Sequence, residues 1–151
     1  MKKINKKELL KIAQLFRKSI ENINLDNAPG FLPHFPSGCC SWATLFLGNC
    51  LKNEFGLKPK RFCGAMYNGS SHEWIVLDSV IIDITSDQYE DSNKSIIVSE
   101  KSKWHEKFND GKIMDIKTPK DYDSAITKGM KPSQIYILVI EKFRLYYNKK
   151  V

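Results

Sequence analysis

Three short stretches of this chain carry residue types that can do chemistry together. Phe35-Pro36-Ser37-Gly38-Cys39-Cys40-Ser41-Trp42 leads into an apolar run, His72-Glu73-Trp74 follows further along, and Ile82-Asp83-Ile84-Thr85 comes after that. The order is nucleophile, general base, orienting carboxylate. A free thiol with a pKa near ~8.5 is only slightly ionised at neutral pH and needs help to attack a carbonyl. Cys40 in the first turn of a helix would gain that help from unpaired N–H groups and the positive end of the helix dipole, and an imidazolium from His72 would add to it. The same N–H groups can receive a developing oxyanion. Gly38 lets the backbone turn just before the cysteine and leaves room for a substrate carbonyl.

The elements around these residues are expected to bring them together. Leu9, Ala13, Phe16, Ile20 and Ile23 recur at helical spacing, so residues 5–23 read as an amphipathic helix, with Asn5 and Glu8 as a capping box. Residues 24–38 are rich in proline and glycine and read as a loop. A helix apolar on nearly every side is expected from Cys40 to Phe55, ending at Gly56, which marks it as buried at the centre of the fold. The period then changes. Arg61–Tyr67, His72–Leu77 and Val80–Ile84 read as strands, the last two joined by an Asp78-Ser79 hairpin. Alternation places His72 and Trp74 on one face and Glu73, Ile75 and Leu77 on the other, with His72 pointing across the sheet to the helix end. A tight hairpin returns Asp83 to within side-chain reach of His72, where it would fix the imidazole tautomer. Asp78 is the rival carboxylate, although Asp is common in such turns for local hydrogen-bonding reasons.

Beyond the hairpin, a short strand over 95–99, a short helix over 101–109 and an edge strand over 113–117 are expected. A C-terminal helix is expected from Ser133, with Tyr136, Val139, Ile140, Phe143 and Tyr147 on one face; residues 100–151 offer no motif, and this helix would cover the sheet. With no repeat and no second composition regime, residues 1–151 read as one α+β domain.

Composition narrows the function. A hydrophobic content of 42% with 27% charged residues is that of an ordinary globular chain, and no apolar run reaches the length of a membrane span. The net charge of +7 is spread from end to end, with no dense basic block and no aromatic reading platform, so nucleic acid is not an expected partner. The basic start Met1-Lys2-Lys3 runs into charge-studded amphipathic sequence rather than an export signal. A cytoplasmic location is expected, with export as an effector left open. Cys39, Cys40, Cys50 and Cys63 contain no C-x-x-C pair and suggest reduced thiols. Metal binding through Cys39, Cys40, Cys63 and His72 lacks suitable spacing, and neither a metal nor another cofactor is expected. Cys50 and Cys63 read as core, His34 as a surface loop residue, and His105 as an exposed helix residue without a task.

The frame Gly38-x-Cys40 before an apolar helix, His72-x-Trp74, and a strand ending Ile82-Asp83-Ile84-Thr85 resembles the papain-like cysteine-enzyme superfamily. The likeness is to its transglutaminase-like and arylamine N-acetyltransferase-like branch and to small bacterial papain-like proteins, including toxin domains. It spans about residues 35–90; the chain is far shorter than true transglutaminases and acetyltransferases and lacks their substrate-binding additions. The resemblance implies a cysteine-bearing helix packed on an antiparallel sheet with flanking helices. It implies Cys40 as nucleophile, His72 as general base and acid, and Asp83 as orienting residue. Gln88 would brace the site or bind the oxyanion; Trp74 would shape the cleft. Cys39 is the rival nucleophile, and the Gly-x-Cys frame favours Cys40. The implied activity is that of a cysteine hydrolase or acyltransferase (peptidase, amidase, deamidase or transglutaminase-like) acting on a protein or peptide. The alternative is a non-catalytic module of the same fold that binds a protein or nucleic acid.

Overall fold

Asn5 ends the lead-in and starts α1 (Lys6–Glu21), its side chain accepting the Glu8 N–H at 2.9 Å. Leu9, Ala13, Phe16 and Ile20 are buried, as a 3.6-residue stripe requires. The second helix, α2 (Cys40–Phe55), stops at Gly56, whose φ of 65° supplies the left-handed cap. Ala43, Leu45, Phe46, Leu47, Cys50 and Leu51 are all buried along it. These are two of the three α-helices in the computed structural model, which describes residues 4–66 and 68–149.

The chain has an α+β architecture. Strands β1 (Lys60–Ala65), β2 (Ser71–Leu77), β3 (Val80–Asp83), β4 (Ile97–Ser99) and β5 (Asp110–Met114) form one sheet, ordered β4-β3-β2-β1-β5 and antiparallel at every pairing. Asp78 and Ser79 take positive φ values of 46° and 71°, the geometry of a two-residue hairpin turn, so Asp78 serves the turn. Ile75 pairs with Ile82 and Leu77 with Val80, facing the helices; Ile75, Leu77 and Ile82 are buried in the same core cluster as the apolar faces of α1 and α2.

Several boundaries differ from the sequence reading. Strand β1 ends at Ala65, and Tyr67, the last residue expected in it, lies outside the described residues. The short strand over 95–99 begins only at Ile97, and the helix expected over 101–109 shrinks to one 3-10 turn, His105–Lys107. The edge strand lies earlier than residues 113–117 suggested, at Asp110–Met114, because Gly111 lets it approach β1 closely. A Cβ there would come within 2.2 Å of the Cys63 carbonyl oxygen. The C-terminal helix, α3 (Pro132–Asn148), starts one residue before Ser133, whose N–H and hydroxyl bind Asp123 at 3.0 and 2.5 Å instead of capping the helix. It packs on the other helices, with Phe143 5.8 Å from Phe16 and 6.2 Å from Phe55, while α1 and α2 lie directly on the sheet. Among the described residues, no helix is long and apolar enough to cross a membrane.

Candidate active site

Strand alternation sets up the site. Glu73, between His72 and Trp74, points towards α2, where its carboxylate accepts the Ser41 hydroxyl at 2.6 Å. His72 and Trp74 therefore occupy the opposite face. Asp83, one step beyond the Ile75–Ile82 pair, shares that face. The His72 ring stays on that face and still reaches the helix end, as the sequence suggested. It stands at the end of β2 that extends past the last residue of β3, where the start of α2 also arrives. There Cys40, the first residue of α2, lies close enough to the His72 ring and the Glu73 backbone N–H for both to favour its thiolate.

His72 Nε2 is 2.6 Å from Asp83 Oδ2, and both side chains are buried. A carboxylate only accepts, so this contact puts the neutral ring's proton on Nε2 and leaves the Nδ1 lone pair free to accept. Burial opposes the imidazolium, but the hydrogen bonds to Asp83 and Cys40 outweigh it and push the His72 pKa up to about 9. For Cys40, burial would raise the thiol pKa; the bond to and charge of His72, with the Glu73 N–H, reverse this and lower it. Burial would likewise raise the pKa of Asp83, yet bonds from His105 and His72 hold it well below the usual carboxylate range. Its Oδ1 accepts the Thr85 N–H at 2.8 Å and the Thr85 hydroxyl at 3.3 Å.

Gln88 bridges the two halves of the site. Its Oε1 accepts the Gly38 N–H at 3.0 Å, which turns Nε2 towards His72 Nδ1 at 2.9 Å. An amide NH2 can donate only to an unprotonated Nδ1, so Gln88 and the Cys40 proton compete for one lone pair. Gly38 has φ +66°, and a Cβ on it would come within 3.1 Å of the Phe31 ring. Phe31 is 64% exposed, an apolar surface against the glycine two residues before Cys40.

The other sequence candidates fall elsewhere. Cys39 is fully buried, and its thiol donates to the carbonyls of Phe31 and Ser37, both at 3.2 Å. Burial and the neighbouring Cys40 push its pKa up to about 11, the opposite of the shift at Cys40. Trp74 is buried between Phe62 and His105, with ring centroids at 4.8 and 4.6 Å, and packs beside His72. Cys50 is core, its pKa raised by burial. Cys63 is not core: it is only partly buried, because its sheet neighbour on β5 is the exposed Lys112. His34 is exposed.

Sequence reasoning missed three contributors. His105 is buried, not exposed, and its Nε2 lies 2.8 Å from Asp83 Oδ2. Its signal was hidden in a 3-10 turn too short to show periodicity. Arg17, on α1, binds Asp87 through both Nη atoms at 2.7 Å and the Ile84 carbonyl at 2.8 Å, pinning the segment between Asp83 and Gln88. Glu73 also accepts Arg61 at 3.2 Å, and its negative charge opposes a Cys40 thiolate. Among the described residues, the potential metal-ligand cluster is His72, Asp83 and His105, and not the cysteine set the sequence raised. Each of those three already finds a hydrogen-bond partner in the cluster. No family model, curated protein or solved structure matches this chain.

Proposed function

We propose that the chain is a papain-like cysteine hydrolase or acyltransferase acting on an amide or related acyl group of a protein or peptide. The observation that carries the reading is the placement of His72, bonded to buried Asp83 on one side at 2.6 Å and facing the Cys40 thiol at the start of α2 on the other. This arrangement joins a lowered thiol pKa to a raised imidazole pKa, the pairing that nucleophilic thiol catalysis needs.

In the proposed reaction His72 Nδ1 takes the thiol proton as Gln88 releases that nitrogen. The Cys40 thiolate adds to the substrate carbonyl carbon, and the oxygen takes up the negative charge beside the N–H groups of the first turn of α2, which have no partner inside the helix. The tetrahedral intermediate collapses as His72 returns the proton to the leaving amine. A thioester on Cys40 remains. Water or an acceptor amine then adds to it, with His72 taking the proton and passing it to the Cys40 sulfur as the new product leaves. Phe31 offers an apolar wall to the acyl group or its neighbour.

The test is trapping. Wild-type protein incubated with a panel of peptide and glutamine-side-chain amides should release amine or ammonia and carry a hydroxylamine-sensitive acyl mass on Cys40. Cys40→Ala should do neither. Release that persists in Cys40→Ala, or no adduct with any acyl donor including activated esters, would contradict the reading and favour a binding module.

A further inference from the structure

We propose that His105 is a positioning residue of this site: its Nε2–H clamps the Asp83 carboxylate in the orientation that receives His72, and Ser102 sets the tautomer that allows it. The proposal rests on the Cys40–His72–Asp83 reading above.

Asp83 Oδ2 lies 2.6 Å from His72 Nε2 and 2.8 Å from His105 Nε2. An ionised carboxylate has no proton to give, so both rings donate. His105 Nδ1 is 2.6 Å from the Ser102 hydroxyl oxygen. A neutral ring protonated at Nε2 has its lone pair there, and the hydroxyl donates into it. The same oxygen accepts the His105 backbone N–H at 3.4 Å, which places the ring and its tautomer-setting partner in one local turn. Thr85 occupies Oδ1 twice, at 2.8 and 3.3 Å. Each oxygen of Asp83 therefore has two donors, and rotating the carboxylate breaks bonds at both ends.

The turn that carries His105 is itself held in place. Phe108 rests on Gly64, where a Cβ would come within 2.3 Å of the Phe108 carbonyl oxygen. Trp104 Nε1 donates to Asp91 at 3.1 Å, and Lys107 pairs with the same carboxylate. The ring packs edge-on against Trp74 at 4.6 Å. Without the His105 donor, Oδ2 keeps His72 alone, and the carboxylate can tilt towards Thr85. The His72 ring then loses its fixed alignment with Cys40. Hydrogen-bond partners that orient metal-binding histidines typically matter by about ten- to a hundredfold, and an effect of that order is expected here.

Two measurements test this. Long-range proton–nitrogen NMR on histidine-labelled wild type, at a pH where the ring is neutral, should show His105 protonated at Nε2; an Nδ1–H tautomer overturns the proposal. Alkylation of Cys40 by iodoacetamide across pH should slow about tenfold or more in His105→Phe, with a shifted profile. In His105→Gln, whose side-chain amide can still donate to Asp83, most of the rate should return. A wild-type rate and profile in His105→Phe, or a folded His105→Gln as slow as His105→Phe, overturns it. If His105→Phe does not fold, the tautomer in the wild type decides. An activated Cys40 indifferent to His105→Phe sinks this proposal alone, whereas an unactivated Cys40 in the wild type sinks the functional reading beneath it.

Discussion

The two faces of the sheet are built on different principles. The helix side presents Ile75, Leu77 and Ile82 to the apolar stripes of α1 and α2, a core of aliphatic and aromatic side chains held by burial. The opposite side carries Phe62, His72, Trp74 and Asp83, covered by the irregular segment that brings His105 and Phe108. There, buried polar groups persist only because each finds a partner, at distances of 2.6 to 3.3 Å around His72 and Asp83. The first face tolerates changes that keep volume and apolarity. The second is a directional network, in which one lost partner leaves a buried donor or acceptor exposed to the full desolvation cost. The candidate site forms where the faces meet: the thiol comes from the helix layer and its base from the far side.

Substitutions can test that division. Cys40→Ser should abolish acyl adduct formation entirely while leaving the thermal midpoint within a few degrees of wild type, as measured by intact mass and calorimetry. Asp83→Asn removes the charge that holds the His72 tautomer and should cost about 10³- to 10⁴-fold in turnover. Gly64→Ala tests the far face through its backbone. The added methyl collides with the Phe108 carbonyl, which should destabilise the fold by about 1–3 kcal/mol in urea titrations and lower Cys40 reactivity as His105 shifts. Gln88→Ala should have the smallest effect and the opposite sign on the free protein. Losing one hydrogen bond to the neutral ring, worth about 0.5–1.5 kcal/mol, should speed Cys40 alkylation at neutral pH by about two- to tenfold.

Stability should also follow pH in two arms. The Asp83 pKa is depressed on folding, so its contribution is complete above the ordinary carboxylate value near ~4 and is lost as pH falls further. The His72 pKa is raised to about 9, so its contribution is complete below its ordinary value and is lost as pH rises through 9. Urea midpoints should therefore be highest between about pH 4 and 6.5, and Asp83→Asn should flatten both arms.

What could be read from the sequence follows the same division. The helix side announced itself: α2 begins at Cys40 and ends before Gly56 as its run of apolar residues and its glycine suggested. The His72–Asp83 contact followed from hairpin arithmetic, because a two-residue turn at Asp78-Ser79 leaves little freedom in register. The far face was largely illegible. His105 lies in a single 3-10 turn with no period to detect, and its partner Asp83 is distant in sequence. Nothing local in the sequence separates Arg17 from the other charges on α1, although it ties that helix to the Asp83–Gln88 segment. The edge strand carrying Lys112 was expected, but its start was missed because glycine and exposed polar residues fill it, and its place depends on the Gly64–Gly111 approach. Polar networks assembled from separated short segments leave no local pattern.

The most direct test is the pH dependence of iodoacetamide alkylation at Cys40, resolved from the other cysteines by peptide mapping, in wild type and His72→Ala. The account predicts that Cys40 is labelled selectively with an apparent pKa well below the ordinary thiol value of ~8.5, and that His72→Ala returns it to that value or higher. An ordinary, unselective thiol in the wild type, unchanged by His72→Ala, would contradict the claim that these two residues work as a pair.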